Sequence, residues 1–300
     1  MFESFKKSLF LFLFIISLLH MIACSSDSSD DKGSADNTGE TSESSFFADH
    51  ITARLSVLQS IPDLEINNAK SKLHIAYGHT SHGSQIVDGV NGLTAFMNGI
   101  GSTADLYAGL DLRTDMGNYG SSYGASDLNQ PDYSSWETAT RNYLSSHTDI
   151  NVVVWSWCAG VSHAGESDIE NYLSLMSGLE EDYPHVAFIY MTGHLDGTGE
   201  DGNLHKRNKQ IRKYCRDNDK WLFDFADIES YDPDGNYYLD RGANDACDYT
   251  GGNWATEWQS SHTVNIDWYS CSSAHSQPLN ANMKAYAFWW LMARIAGWGG

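Results

Sequence analysis

Lys72-Leu73-His74-Ile75-Ala76-Tyr77-Gly78-His79-Thr80-Ser81-His82-Gly83-Ser84 is a short apolar run that ends abruptly in Gly, Ser and His. Leu73, Ile75 and Tyr77 alternate with His74 and Ala76, the period of two of a strand, and Gly78 and Gly83 let the backbone turn tightly beyond it. In the segment that follows, Ile86, Val90, Leu93 and Met97 stand at helical spacing. The polar loop therefore lies between a strand end and a helix start, the junction at which α/β proteins bind ligands.

The same alternation recurs downstream. Residues 150–158 form a near-continuous apolar run of the kind buried on both faces of a parallel sheet. Ser167-Asp168-Ile169-Glu170 reads as a capping box, with Ile169, Leu173, Met176 and Leu179 at helical spacing behind it. Residues 185–191 predict the next strand, which ends in Thr192-Gly193-His194-Leu195-Asp196-Gly197. A charged helix over 204–218, a strand over 221–225 and a helix over 280–296, apolar on nearly every side, complete the pattern. Residues 47–61 predict a helix ahead of the first strand, 134–147 predict another, and 104–130, rich in Gly, Ser, Tyr and Asp, read as irregular. Together these predict an α/β protein: a doubly wound, flavodoxin-like three-layer α/β/α sandwich with a mainly parallel sheet. Right-handed crossovers then bring the loops after His79, Trp157, His194 and Asp224 to one edge.

At the amino terminus, Lys6 and Lys7 precede an apolar segment that runs to Ala23 and Cys24 and then turns polar. This is the pattern of a secretory signal, and the run is short for a full span of about 20 residues. Met21-Ile22-Ala23-Cys24 is similar to a bacterial lipobox, which implies acylation of Cys24 and a lipid-anchored protein of the cell envelope, at the outer membrane or cell surface. Residues 1–23 are thus expected to be a lipoprotein signal, 24–45 a Ser/Asp-rich disordered tether, and 46–300 one α/β domain. A formal net charge of −21 excludes nucleic acid as a natural partner and leaves the lipid anchor as the expected contact with a membrane. Ten Trp, 16 Tyr and 12 Phe suit stacking on sugar rings as well as a core. Besides Cys24 there are Cys158, Cys215, Cys247 and Cys271, and a Cys247–Cys271 disulfide is the first pairing expected of an extracytoplasmic chain.

The order strand, Gly-His-Thr-Ser-His-Gly, helix resembles the nucleophile block of the SGNH (GDSL-like) hydrolases, in a divergent branch whose first block reads His-x-Ser-x-Gly. Ser272-Ser273-Ala274-His275, just ahead of the last helix, resembles that family's final block. The resemblance implies a serine ester hydrolase with Ser81 as nucleophile and His275 as general base, acting without a cofactor. The family's Asp, three residues before the His, is replaced here by Ser272, so Asp267, the nearest upstream carboxylate, or else a backbone carbonyl is expected to orient His275. The amide of Ser81 is the oxyanion donor carried over, the family's Gly falls among Gly117, Gly120 and Gly124, and its Asn falls near Trp157-Cys158. Ser156 or His194 is expected to donate in its place, with His79 and Gly83 flanking the site. The expected substrate is an acyl, especially acetyl, ester of a carbohydrate.

Two alternatives come from the same residues. A silent SGNH-like domain could bind glycan through its aromatic loops, and His79, His82, His194, Asp196 and His275 together could hold a divalent metal for a metal-dependent hydrolase. Asp232-Pro233-Asp234-Gly235-Asn236 hints at a calcium loop but reads better as a Pro-Asp-Gly turn.

Overall fold

The structure, a computed structural model, describes residues 45–300. The signal segment, Cys24 and the tether up to residue 44 lie outside them. Among the described residues the elements run β1 (Phe47–Ala48), α1 (Leu55–Ser60), α2 (Asp63–Lys72), β2 (His74–Gly78), α3 (Ser81–Gly99), β3 (Asp111–Gly117), α4 (Ser135–Ser146), β4 (Val152–Trp155), α5 (Gly160–His163), α6 (Glu166–Asp182), β5 (Ala187–Met191), α7 (Asn203–Asp217), β6 (Leu222–Phe223) and α8 (Phe225–Glu229). A hairpin of β7 (Asp248–Tyr249) and β8 (Gly252–Asn253), then α9 (Trp254–Ser261) and α10 (Pro278–Ile295), close the chain.

The six main strands form one sheet in the order β1-β6-β5-β4-β2-β3, every pair parallel. The fold is thus the doubly wound three-layer α/β/α arrangement, with α3 and α10 packed together on one face and α4, α6 and α7 on the other. The chain leaves β2 towards β3 on one side and resumes at β4 on the other. The switch point, where such sheets open a crevice at the strands' carboxyl ends, therefore lies between β2 and β4.

Local chemistry explains the elements. Val152, Val153, Val154 and Trp155 are all buried, as a central parallel strand requires. The Trp155 indole lies across Gly78 and Gly117, where a Cβ on either would sit 2.2 Å from the ring, so β2 and β3 must end in glycine there. Every residue from Leu279 to Ala293 in α10 is buried, which is why its sequence is apolar all round. Its one lysine, Lys284, is fully buried against Glu229 of α8 at 2.6 Å and also bonds the Gln85 side chain of α3.

Several expectations need correction. Residues 104–130 contain β3, an edge strand, and 47–61 hold the short β1, paired with β6, before the helical turn of α1. Helix α6 begins at Glu166, not behind Ser167, and Asp168 accepts the Gly165 amide at 2.7 Å. Asp232 to Asn236, in contrast, form the turn expected, with the Asp232 carboxylate accepting the amides of Asp234 and Asn236. In this structure Cys247 and Cys271 are free thiols, as are Cys158 and Cys215. Cys247 lies 3.3 Å from the Ser276 hydroxyl, while Cys271 faces the Pro278 carbonyl and the Asn282 amide.

Candidate active site

Ser81 is the first residue of α3, directly beyond β2, so its hydroxyl stands at the carboxyl edge of the sheet. The side chain of Thr80, which would ordinarily cap this helix, instead donates to buried Asp127 at 2.7 Å. The first-turn amides of α3 are thus left without a side-chain cap, and a helix start presents such amides to negative charge.

His275 Nε2 lies 2.9 Å from Ser81 Oγ, across 194 positions of sequence. His275 adopts φ = 63°, a left-handed conformation uncommon outside glycine. Its loop is held by Gln85 Nε2 donating to the Ala274 carbonyl at 2.5 Å and by Asn280 Nδ2 donating to the Ser276 hydroxyl at 2.7 Å. The sequence thus identified the pair that the fold brings together. Asp267, in contrast, accepts the Thr263 amide at 2.8 Å, and among the described residues no carboxylate hydrogen-bonds the other nitrogen of His275.

The other expected residues divide. Gly83 sits where a Cβ would meet Ser156 Oγ at 2.3 Å and the Tyr77 hydroxyl at 2.6 Å. Gly83 therefore lets α3 rest on the sheet, and Ser156, 1% exposed, lies beneath the helix and away from the cleft. His79 packs its ring on Tyr77 and donates from Nδ1 to the Thr80 carbonyl at 3.0 Å, and burial lowers its pKa. His194 lies in the cleft with both nitrogens engaged. Nδ1 donates to the Leu195 carbonyl at 2.9 Å, and Nε2 accepts the Ala159 amide at 3.1 Å. That fixes it as a neutral imidazole, its pKa lowered by burial and by its neighbour His82.

Around His82 stands a group of contacts that no local pattern foretold. His82 Nδ1 is 3.3 Å from Cys158 Sγ, and His82 Nε2 is 2.9 Å from an Asp245 carboxylate oxygen. The ring stacks between His194, 3.7 Å away at 1°, and His275, 4.4 Å away at 18°. Cys158 Sγ is 3.9 Å from Ser81 Oγ, so the hydroxyl and the thiol share one crevice at the switch point. Burial opposes a charge on His82, yet the bonds to Asp245 and Cys158 outweigh it and raise the pKa to about 9. His82 in turn holds the Cys158 thiol below its ordinary value against the cost of burial.

His82, His194 and Asp245 bring donor atoms within 4.8 Å of one another, the spacing of a metal triad. Each is already spent within the protein: His82 on Asp245 and Cys158, His194 on a backbone amide and a backbone carbonyl. Asp196 accepts the amide and hydroxyl of Thr198 in its own turn. The arrangement suits proton transfer better than ligation. A separate cavity of about 940 Å³ is lined by α7 residues such as Lys206, Lys209 and Lys213 together with His50 and Tyr231.

Comparison with known protein families, with characterised proteins and with solved structures found no match to this chain.

Proposed function

We propose that the protein is an extracytoplasmic serine ester hydrolase of the SGNH kind that removes acyl groups, acetyl above all, from carbohydrate. The observation that carries the reading is the 2.9 Å approach of His275 Nε2 to Ser81 Oγ at the switch point of the sheet. Ser81 attacks the ester carbonyl while His275 takes its proton, and His275 returns that proton to the leaving alcohol. The amide of Ser81, with the uncapped first turn of α3, receives the developing oxyanion. Water then repeats the cycle on the acyl-serine. The −21 charge and the abundance of aromatic residues favour neutral, sugar-like substrates over nucleic acid.

Fluorophosphonate labelling of wild type, Ser81→Ala, Ser84→Ala and His275→Ala tests this. Ser84 is the control, since its hydroxyl donates to the Ser81 carbonyl and lies in the helix. Labelling is expected to vanish in Ser81→Ala, to fall by about 10²–10⁴-fold in His275→Ala, and to persist in Ser84→Ala. Full fluorophosphonate labelling of folded Ser81→Ala protein would end the proposal.

That no carboxylate among the described residues bonds His275 favours one second reading, a catalytically silent domain that binds glycan. Glycan binding that survives Ser81→Ala, with no turnover of any ester by wild type, would support it.

The lipobox-like Met21-Ile22-Ala23-Cys24 supports lipid anchoring in a bacterial envelope. Cys24→Ser is expected to release the protein from the membrane fraction. Unchanged retention, with the signal otherwise processed, would contradict it.

A further inference from the structure

The Ser81–His275 pair leaves three reactive side chains of the same cleft unused. Cys158 follows β4, His82 is the second residue of α3, and Asp245 belongs to the loop ahead of β7. Their contacts run Sγ to Nδ1 at 3.3 Å and Nε2 to carboxylate at 2.9 Å. This is the order nucleophile, base, orienting carboxylate that activates a weak nucleophile.

Each member is held in place from outside the triad. The Cys158 amide donates to Asn129 Oδ1 at 3.2 Å, and the next amide, of Ala159, donates to His194. Ala159 is in the left-handed region at φ = 61°, so the backbone turns sharply at the thiol. The amide of Asp245 donates to the Leu195 carbonyl at 3.1 Å, and the amide of Leu195 donates to buried Glu229 at 2.8 Å. Asp245 accepts from Nε2, which directs Nδ1 at the thiol, so that one proton is shared between Nδ1 and Sγ. Cys158 is half-buried, and Ser81, its neighbour at 3.9 Å, lines the same crevice. A carbonyl bound for attack at one nucleophile is thus within reach of the other.

We propose that Cys158, His82 and Asp245 form a second, thiol-based nucleophilic site that takes carboxylic ester or thioester carbonyls and turns them over through an acyl-thioester on Cys158. His82 Nδ1 holds the proton of the Cys158 thiol as Sγ bonds to the carbonyl carbon. Collapse of the tetrahedral adduct breaks the bond to the alkoxide or thiolate leaving group, which takes the proton from Nδ1. Water then gives its proton to Nδ1 and its oxygen to the acyl carbon, the carbon–sulfur bond breaks, and the thiol is restored. The net reaction is ester plus water to acid plus alcohol or thiol, with no oxidant or cofactor. The site does not depend on the reading of Ser81, because the two nucleophiles use different imidazoles.

Two measurements on the full chain test it. In the first, iodoacetamide alkylation is followed residue by residue, with half-buried Cys271 as the internal standard. Cys158 is expected to react at least about tenfold faster than Cys271, and His82→Gln and Asp245→Asn each to remove most of that advantage. Circular dichroism checks that each variant is folded, and Asp245→Asn carries the test if His82→Gln is not. Equal rates at the two thiols, or a fast Cys158 indifferent to its partners, would overturn the proposal. In the second, wild type and Ser81→Ala are quenched during turnover of p-nitrophenyl acetate and mapped by mass spectrometry. A hydroxylamine-labile acetyl group on Cys158 of Ser81→Ala is the expected result. Acetyl on Ser81 of wild type and none on Cys158 of either protein would overturn the thiol site and leave the serine reading standing. Acetyl on Cys158 of both and never on Ser81 would uphold the thiol site and remove the serine reading.

Discussion

His82 is the residue on which the cleft turns, because it touches Cys158, Asp245, His194 and His275 at once. Its pKa of about 9 also has a consequence for stability. A histidine raised above its unfolded value near 6.5 contributes fully below that pH and loses the contribution as pH rises through the folded value. Cys158 titrates in the opposite sense: its lowered pKa stabilises above the unfolded thiol value and fades as pH falls through the folded one. The expected result, in a Cys158→Ala background that leaves Asp245 as the main partner of His82, is that His82→Gln lowers Tm most at pH 6 and progressively less as pH rises. Thermal melts at fixed ionic strength check this, and a deficit that grows with pH would contradict it. Ser81 and His275 were legible because each sits in a short motif at a strand end or before a helix. Asp245 and Cys158 were not, since they meet His82 from 163 and 76 positions away and neither carries a local pattern. Gly83 and Ser156 read from sequence as cleft residues because sequence does not say which face of a turn is filled, and here Gly83 lies on the buried side of α3 against Ser156.

At the scale of elements, the strands that were legible are the ones buried on both sides. β4 is all Val and Trp, whereas β3, Asp-Leu-Arg-Thr-Asp-Met-Gly, lies at an edge and carries charge. There Arg113 bonds Asp111 at 2.7 Å and Asp149 at 2.5 Å, while His74 bonds Asp111 at 2.7 Å. Charged side chains on an edge strand discourage pairing with other chains, and they also erase the apolar alternation by which a strand is read. Helix α10 presents the reverse case, an apolar segment whose single Lys looks out of place. Lys284 joins Glu229 of α8 to Gln85 of α3, Gln85 holds the loop of His275, and Glu229 holds the Leu195 amide beside His194. Replacing Lys284 with Met should leave Glu229 buried without its counter-ion and cost about 3–5 kcal/mol. Urea unfolding measures it, and a loss below about 1 kcal/mol would mean that Glu229 takes up a proton and tolerates the change. Catalysis should fall together with stability, since both halves of the cleft hang from this ion pair.

Over the whole molecule, 39 acidic residues face 18 Lys and Arg, and the basic ones are unevenly spread. Lys206, Arg207, Lys209, Arg212, Lys213 and Arg216 all lie on α7. The cleft itself is bordered by Asp245, with Glu229 and Asp127 buried close by. A field of one sign around a low-dielectric cleft repels ligands of the same sign and alters their rate of arrival, and salt screens it over about 30 Å at 0.01 M but 10 Å at 0.1 M. A neutral ester should therefore be turned over in preference to an anionic ester with the same leaving group. For p-nitrophenyl acetate against mono-p-nitrophenyl succinate, kcat/KM should favour the neutral ester by about tenfold at low ionic strength, and the ratio should fall as salt is raised to 0.5 M. The acyl chains also differ in length, so the salt dependence and not the bare ratio is diagnostic. A preference that salt leaves unchanged would come from contacts inside the cleft, and a preference for the succinate would mean that a cation such as His82 in its charged form governs binding despite the chain's net charge.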